Sequence, residues 1–178
     1  MLRIGNHIYY YTQLFVKPQY IIICLILFIV VIIINIYVLH NDCKRSIIWS
    51  CLSTYIVLLL FSLVFNRDSG EVCRYNLQLF WSYKEIIKKG NYTLLVEDLL
   101  NLIMLTPISI MIDNLKEGCS IIKIILYVFL ISLLFEVLQF ITGTGLFELD
   151  DLFNNTFGAF IAVFIWKNVK RKVHDKNI

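Results

Sequence analysis

Alanine is nearly missing from this 178-residue chain, occurring only as Ala159 and Ala162, and only 16% of the residues are charged. Proline occurs twice and histidine three times. Scarce charge beside 59% hydrophobic residues excludes an ordinary soluble domain. A net charge of +3 is too small and too scattered to suggest nucleic-acid binding. His7, His40 and His174 lie outside the apolar runs, and there is no H-E-x-x-H and no Ser/His/Asp set. Cys24, Cys43, Cys51, Cys73 and Cys119 fall in no metal-ligand spacing and read as small apolar residues. No cofactor and no metal are therefore expected. The surplus of Ile, Lys, Asn, Phe and Tyr over Ala reflects AT-rich coding as much as function.

What the chain does have is long apolar runs, with a mean hydropathy of +0.76. Residues 20–39, 46–65, 94–112, 121–141 and 152–169 are each long enough for a membrane-spanning helix. The expected fold is an all-α transmembrane bundle of about five spans. Residues 1–19 form a tail or interfacial helix, 20–45 a first span and link, 46–169 the main membrane domain and 170–178 a basic tail. The run at 20–39 is too long for a signal-peptide core and no cleavage site follows it, so it is expected to stay in place. Between spans two and three, residues 68–93 are rich in aromatics that favour the membrane–water interface. Lys88 and Lys89 before Gly90 mark the end of a short helix there. Pro107 should kink the third span, with Thr106 helping to satisfy the freed backbone.

The chemistry gathers around residues 133–162. Glu136 and Gln139 end one apolar run, Gly143 and Gly145 break it, and Asp150, Asp151, Asn154, Asn155 and Gly158 open the next. Asp150 suits the N-cap of that last helix. Gly158 and Ala162 form a small-x-x-x-small pair that permits close helix packing. At about 1.5 Å per residue, Glu136 lies roughly 22 Å along a helix begun at Ile121, in a core of about 30 Å. A carboxylate at that depth needs a donor, water or a proton. Arg67, Asn101, Glu136, Gln139, Asp150, Asp151 and Asn155 all fall toward one membrane face, so a polar pocket is expected there under a roof of residues 76–90. Glu97 and Asp98 reach the same face but suit a helix's first turn, where acids complement the dipole. Arg67 is the expected partner of Glu136 or Asp151.

Lys167, Lys170, Arg171, Lys172 and Lys176 crowd the C-terminus, while the 142–151 turn has no basic residue. The positive-inside rule then places the C-terminus in the cytoplasm.

These motifs, in this order, resemble the VanZ-like family of bacterial membrane proteins over roughly residues 46–166. The resemblance rests on an Arg after the second span (Arg67), Asn101 and Pro107 in the third, Glu136-x-x-Gln139 in the fourth, and Asp151-x-x-x-Asn155-x-x-Gly158 in the fifth. Leu105 stands where the family has Phe, and Ser109 where it has Gly. The resemblance implies a multi-pass protein of the bacterial plasma membrane with a cell-envelope role. The family's namesake is associated with resistance to the glycopeptide teicoplanin.

Three functions compete. The first is binding, without catalysis, of membrane lipid, a lipid-linked wall precursor or a lipoglycopeptide in the outer-face pocket. The second is an intramembrane enzyme acting on lipid-linked phosphates, with Asp150, Asp151 and Asn154 holding Mg²⁺ against a diphosphate. The third is ion or proton transport with Glu136 as carrier, which lacks a second set of charges near the opposite face.

Overall fold

A computed structural model describes residues 18–65, 74–116 and 118–176. The expected stripe in residues 1–17 and Arg67 lie outside them. The fold is all-α. In order come α1 (Pro18–Tyr37), α2 (Cys43–Leu60) running into a π-helical turn (Phe61–Phe65), α3 (Trp81–Lys89), α4 (Tyr92–Met104), α5 (Thr106–Leu115), α6 (Ile121–Thr142) and α7 (Leu149–Lys176). Two three-residue strands that the apolar pattern does not announce, β1 (Arg74–Asn76) and β2 (Leu146–Glu148), pair with each other.

Four stretches among the described residues are long and apolar enough to cross a membrane: Gln19–Tyr37, Cys43–Phe65, Tyr92–Leu115 and Ile121–Thr142. They coincide with the first four expected spans. The fifth, expected over 152–169, is the middle of the longer helix α7. That helix begins three residues earlier and continues through the expected basic tail to Lys176. Asp150, Asp151, Asn154 and Asn155 at one end and Lys167, Lys170, Arg171 and Lys172 at the other shorten its apolar middle, so it falls short of the hydropathy of the other four.

The chain divides into two compact units, residues 1–74 with 137–146, and residues 75–136 with 147–178. In the first, α1 and α2 form an antiparallel hairpin, with Tyr20 stacked on Phe61 at 4.8 Å between ring centroids. Asp42 caps α2 by accepting the Arg45 backbone N–H at 3.3 Å. Asn35, buried within α1, is satisfied locally: its amide donates to Val31 O and its oxygen accepts from Asn41. The Gln139 side chain donates to a carbonyl of the π turn, Leu63 O, at 3.4 Å.

In the second unit, the 92–115 span breaks at Leu105, and α5 restarts at Thr106 with Pro107 in its first turn. Proline has no N–H to donate, so a carbonyl of the preceding turn loses its partner. The Thr106 hydroxyl donates to Ile103 O at 2.8 Å, and the fully buried Ser109 donates to Thr106 O at 2.7 Å. The break thus costs few unmade hydrogen bonds.

Helix α7 runs parallel to α4 and α5 in a constant register. Asn154 bonds Asp98 and Lys170 bonds Asp113, separations of 56 and 57 residues along the chain. Gly158 lies on the Leu102 carbonyl between them. Ala159 and Val163 are fully buried and Ala162 is half-buried, so small residues line this seam. At its far end Asp113, 4% exposed, is neutralised by Lys167 at 2.9 Å and Lys170 at 2.8 Å.

Candidate functional site

The site is built where the start of α7 meets α3 and the first turns of α4. Helix α3 has no side-chain cap of its own, and its N-cap residue Phe80 takes a left-handed conformation, φ 64°. Its orphan N–H groups turn instead to Asp150. One Asp150 oxygen accepts from the Phe80 N–H, and the other accepts from the Ser82 N–H at 2.9 Å and the Ser82 hydroxyl at 2.8 Å. A carboxylate facing a helix N-terminus also gains from the helix dipole. Asp150 is therefore not the N-cap of α7. It sits inside that helix's first turn and caps α3, about 70 residues away in sequence.

One turn further along α7, Asn154 joins Tyr83 to Asp98. Its oxygen accepts from the Tyr83 hydroxyl, and its Nδ2 donates to Asp98 Oδ1 at 3.0 Å. Asn154 is fully buried, Asp98 is 6% exposed and Tyr83 is half-buried. Asp98 Oδ2 is buried with no hydrogen-bond partner. Burial, with the negative charges of Asp98 and Asp150 nearby, raises the Tyr83 phenol above its ordinary range.

Above this network opens a cavity of about 360 Å³. Phe80, Phe153 and Phe157 wall one side, Leu95, Leu99 and Leu102 the other, and Tyr83 and Asp98 supply its polar end. Phe153 stacks on Phe157 at 5.5 Å, and the Phe80 edge meets Phe153 at 5.2 Å. Phe157 and Leu99 are also about half exposed on the outer surface of the helices, so the cavity opens sideways, toward where lipid would lie. The volume falls within the roughly 300–1,000 Å³ of small-molecule sites.

The other expected site residues divide. Glu136 is buried and accepts the Glu148 backbone N–H at 3.1 Å. Asn155 is buried and donates to Ser132 at 2.9 Å, with its own oxygen unpartnered. Gln139 serves the π turn described above. Asp151 is half-buried, and Asn101 is half-buried and takes no part in these hydrogen bonds. Arg67 is outside the described residues. The Asp150, Asp151, Asn154 set has a structural use, since Asp150 and Asn154 spend their polar atoms on α3 and α4. Among the described residues no group of three or more His, Cys, Asp or Glu is arranged to hold a metal.

The expected site set omits Tyr83, Ser82 and Glu148, and takes Asp98, on the same face, for a first-turn acid. Glu148 lies at the edge of the site, its Oε1 buried beside the Trp81 indole. Burial and the negative charges of Asp151, Glu97 and Asp150 push its carboxyl up to about 8. The one signal that pointed to these residues was the aromatic density of 76–83, beside an acidic turn with no basic residue.

The fold and site define a polytopic helical membrane protein with a lateral, aromatic-walled cavity ending on a buried carboxylate. Residues 20–170 match the VanZ/LLP1 family, and the chain belongs to it. Protein VanZ of Enterococcus faecium is 27% identical over 136 residues, which span 76% of this chain and 80% of that protein. No solved structure matches the chain.

Proposed function

We propose that this VanZ-family protein is a non-enzymatic cell-envelope protein that binds a lipid-tailed ligand, either a lipid-linked wall precursor or a lipoglycopeptide such as teicoplanin. In this reading it contributes to glycopeptide resistance by engaging that ligand at the outer face of the membrane. One observation carries the proposal: the cavity of about 360 Å³ is walled by three phenylalanines and three leucines and opens sideways between helices. An acyl tail drawn from the bilayer is favoured there by packing against these side chains rather than by release of water, and the wall offers little else. The family relationship supports an envelope role, and the structural use of Asp150 and Asn154 weighs against a Mg²⁺-dependent phosphate chemistry at the same residues.

The test is binding by the purified protein in nanodiscs. Teicoplanin, which carries an acyl tail, should bind, as should lipid II, whereas tail-less vancomycin should not. Leu99→Trp, which fills the cavity from its lipid-facing wall, should abolish binding of both tailed ligands without unfolding the protein. Equal binding of vancomycin, or full binding by the filled variant, would overturn the reading.

A further inference from the structure

Hydrogen-bond polarity at the end of the cavity says what the head of a bound molecule must carry. Asp98 places one oxygen on Asn154 Nδ2 and leaves Oδ2 without a partner, although the residue is 94% buried. With Asp98 ionised, Asn154 is held this way round, because a turned amide would set its oxygen against the carboxylate. With Asn154 held this way, the single Tyr83 hydroxyl proton points at the Asn154 oxygen. The phenol presents lone pairs to everything else. The Ser82 hydroxyl lies within reach of both carboxylates, but its one proton goes to Asp150 Oδ2 at 2.8 Å. The two polar groups lining the cavity are thus both acceptors, and no lining residue is basic. The charges nearest Asp98, Asp150 and Glu97, are negative as well. An unpaired carboxylate oxygen in a low-dielectric pocket is costly, and one N–H donor bearing positive charge offsets that cost.

We propose that the cavity selects a tailed molecule whose head is a protonated amine, with Asp98 Oδ2 accepting from the ammonium and Tyr83 Oη as second acceptor. This rests on the tail-binding reading above and adds the class of head group. It disfavours a bare phosphate or carboxylate head, which would meet two acceptors and a negative field.

The experiment uses three photoreactive alkyl probes of equal chain length, ending in an amine, an alcohol and a carboxylate. Each is crosslinked to the full-length protein in nanodiscs of neutral lipid and mapped by mass spectrometry to residues 92–104 and 149–165. The amine should be captured about tenfold better than the alcohol, the factor expected for a hydrogen bond to a charged group, and the carboxylate least. Asp98→Asn should bring the amine down to the level of the alcohol. Tyr83→Phe should lower amine capture by a smaller factor. Competition by phosphatidylethanolamine, or by an acyl-tailed lysine peptide, supports the proposal and identifies the natural source of the amine. Equal capture of all three probes, all blocked by Leu99→Trp, overturns amine selection and leaves tail binding standing. No capture of any probe at these residues removes both. If Asp98→Asn fails to fold, the ranking of the three probes on the native protein decides alone.

Discussion

Gly158 of α7 lies directly against the backbone carbonyl of Leu102 in α4. A Cβ built on Gly158 would overlap the Leu102 oxygen and come within 2.6 Å of its carbonyl carbon. The neighbour is backbone in a helix, so it cannot swing aside as a side chain would. Close approach of this kind replaces the missing hydrophobic drive between helices in lipid with packing and Cα–H···O contacts. Gly158→Ala should lower the melting temperature of the purified protein, with a loss of at least about 1–3 kcal/mol as for other overpacked sites. Gly158→Leu should prevent assembly. Unchanged detergent stability and yield of the leucine variant would show that α4 and α7 do not meet there.

Asp150 holds the start of α3 by three hydrogen bonds from two residues. Asp150→Ala leaves the Phe80 and Ser82 N–H groups without an acceptor, at a cost of about 1–3 kcal/mol for each group that stays buried. Asp150→Asn keeps one acceptor oxygen and loses the charge, so it should fall between alanine and the native protein. Limited proteolysis should show the same order, with residues 81–89 cleaved first in the alanine variant. Equal protection in all three proteins would mean that α3 does not depend on this cap.

The long helices were readable because runs of Ile, Leu, Val and Phe near 20 residues have few other uses. Local punctuation was equally plain: Gly90 ends α3 at φ 62°, and Thr106 with Pro107 marks the break in the third span. The cavity was not readable, for a physical reason. Glu97 and Asp98 look alike at the start of a helix, yet consecutive residues point about 100° apart, so one is exposed and the other buried. The Thr93, Glu97 and Asn101 line is the polar stripe of α4, and the buried Asp98 lies off it, so the pattern does not show which side meets protein. Asp150 was legible as a cap, but the helix it caps lies about 70 residues away, beyond any local pattern. The Glu136-x-x-Gln139 pair was found as a motif, while its two side chains serve different partners, the Glu148 N–H and the Leu63 carbonyl.

Glu148 predicts a pH dependence of stability. Its carboxyl lies at about 8 in the folded protein against an ordinary 4.5. Below pH 4.5 folded and unfolded chains are both protonated and the residue costs nothing. Between 4.5 and 8 the unfolded chain releases the proton and the folded one keeps it, so stability falls as pH rises. Above 8 the penalty is complete. Glu148→Gln should match the native melting temperature near pH 4.5 and exceed it increasingly up to pH 8.5. A difference between the two proteins that stays flat across that range would sink the assignment.

Helix α7 has the weakest apolar run of the expected spans, and its register argues that it crosses the membrane nonetheless. It meets the 92–115 span at Asp98, Leu102 and Asp113, keeping step over the whole distance and running in the same direction. A helix so matched must traverse what its partner traverses, and at 28 residues it has the length, about 42 Å. Its polar ends are provided for within the protein, Asn154 by Asp98 and Tyr83, and Lys167 and Lys170 by Asp113. By the positive-inside rule, the dense basic cluster after Trp166 predicts that this end faces the cytoplasm. In a background with all five cysteines replaced, Thr144→Cys should react with an impermeant maleimide in intact cells. Asn177→Cys should react only after the membrane is opened. Reversed labelling would invert the orientation and keep the crossing, whereas labelling of both positions from the same side would show that α7 does not cross.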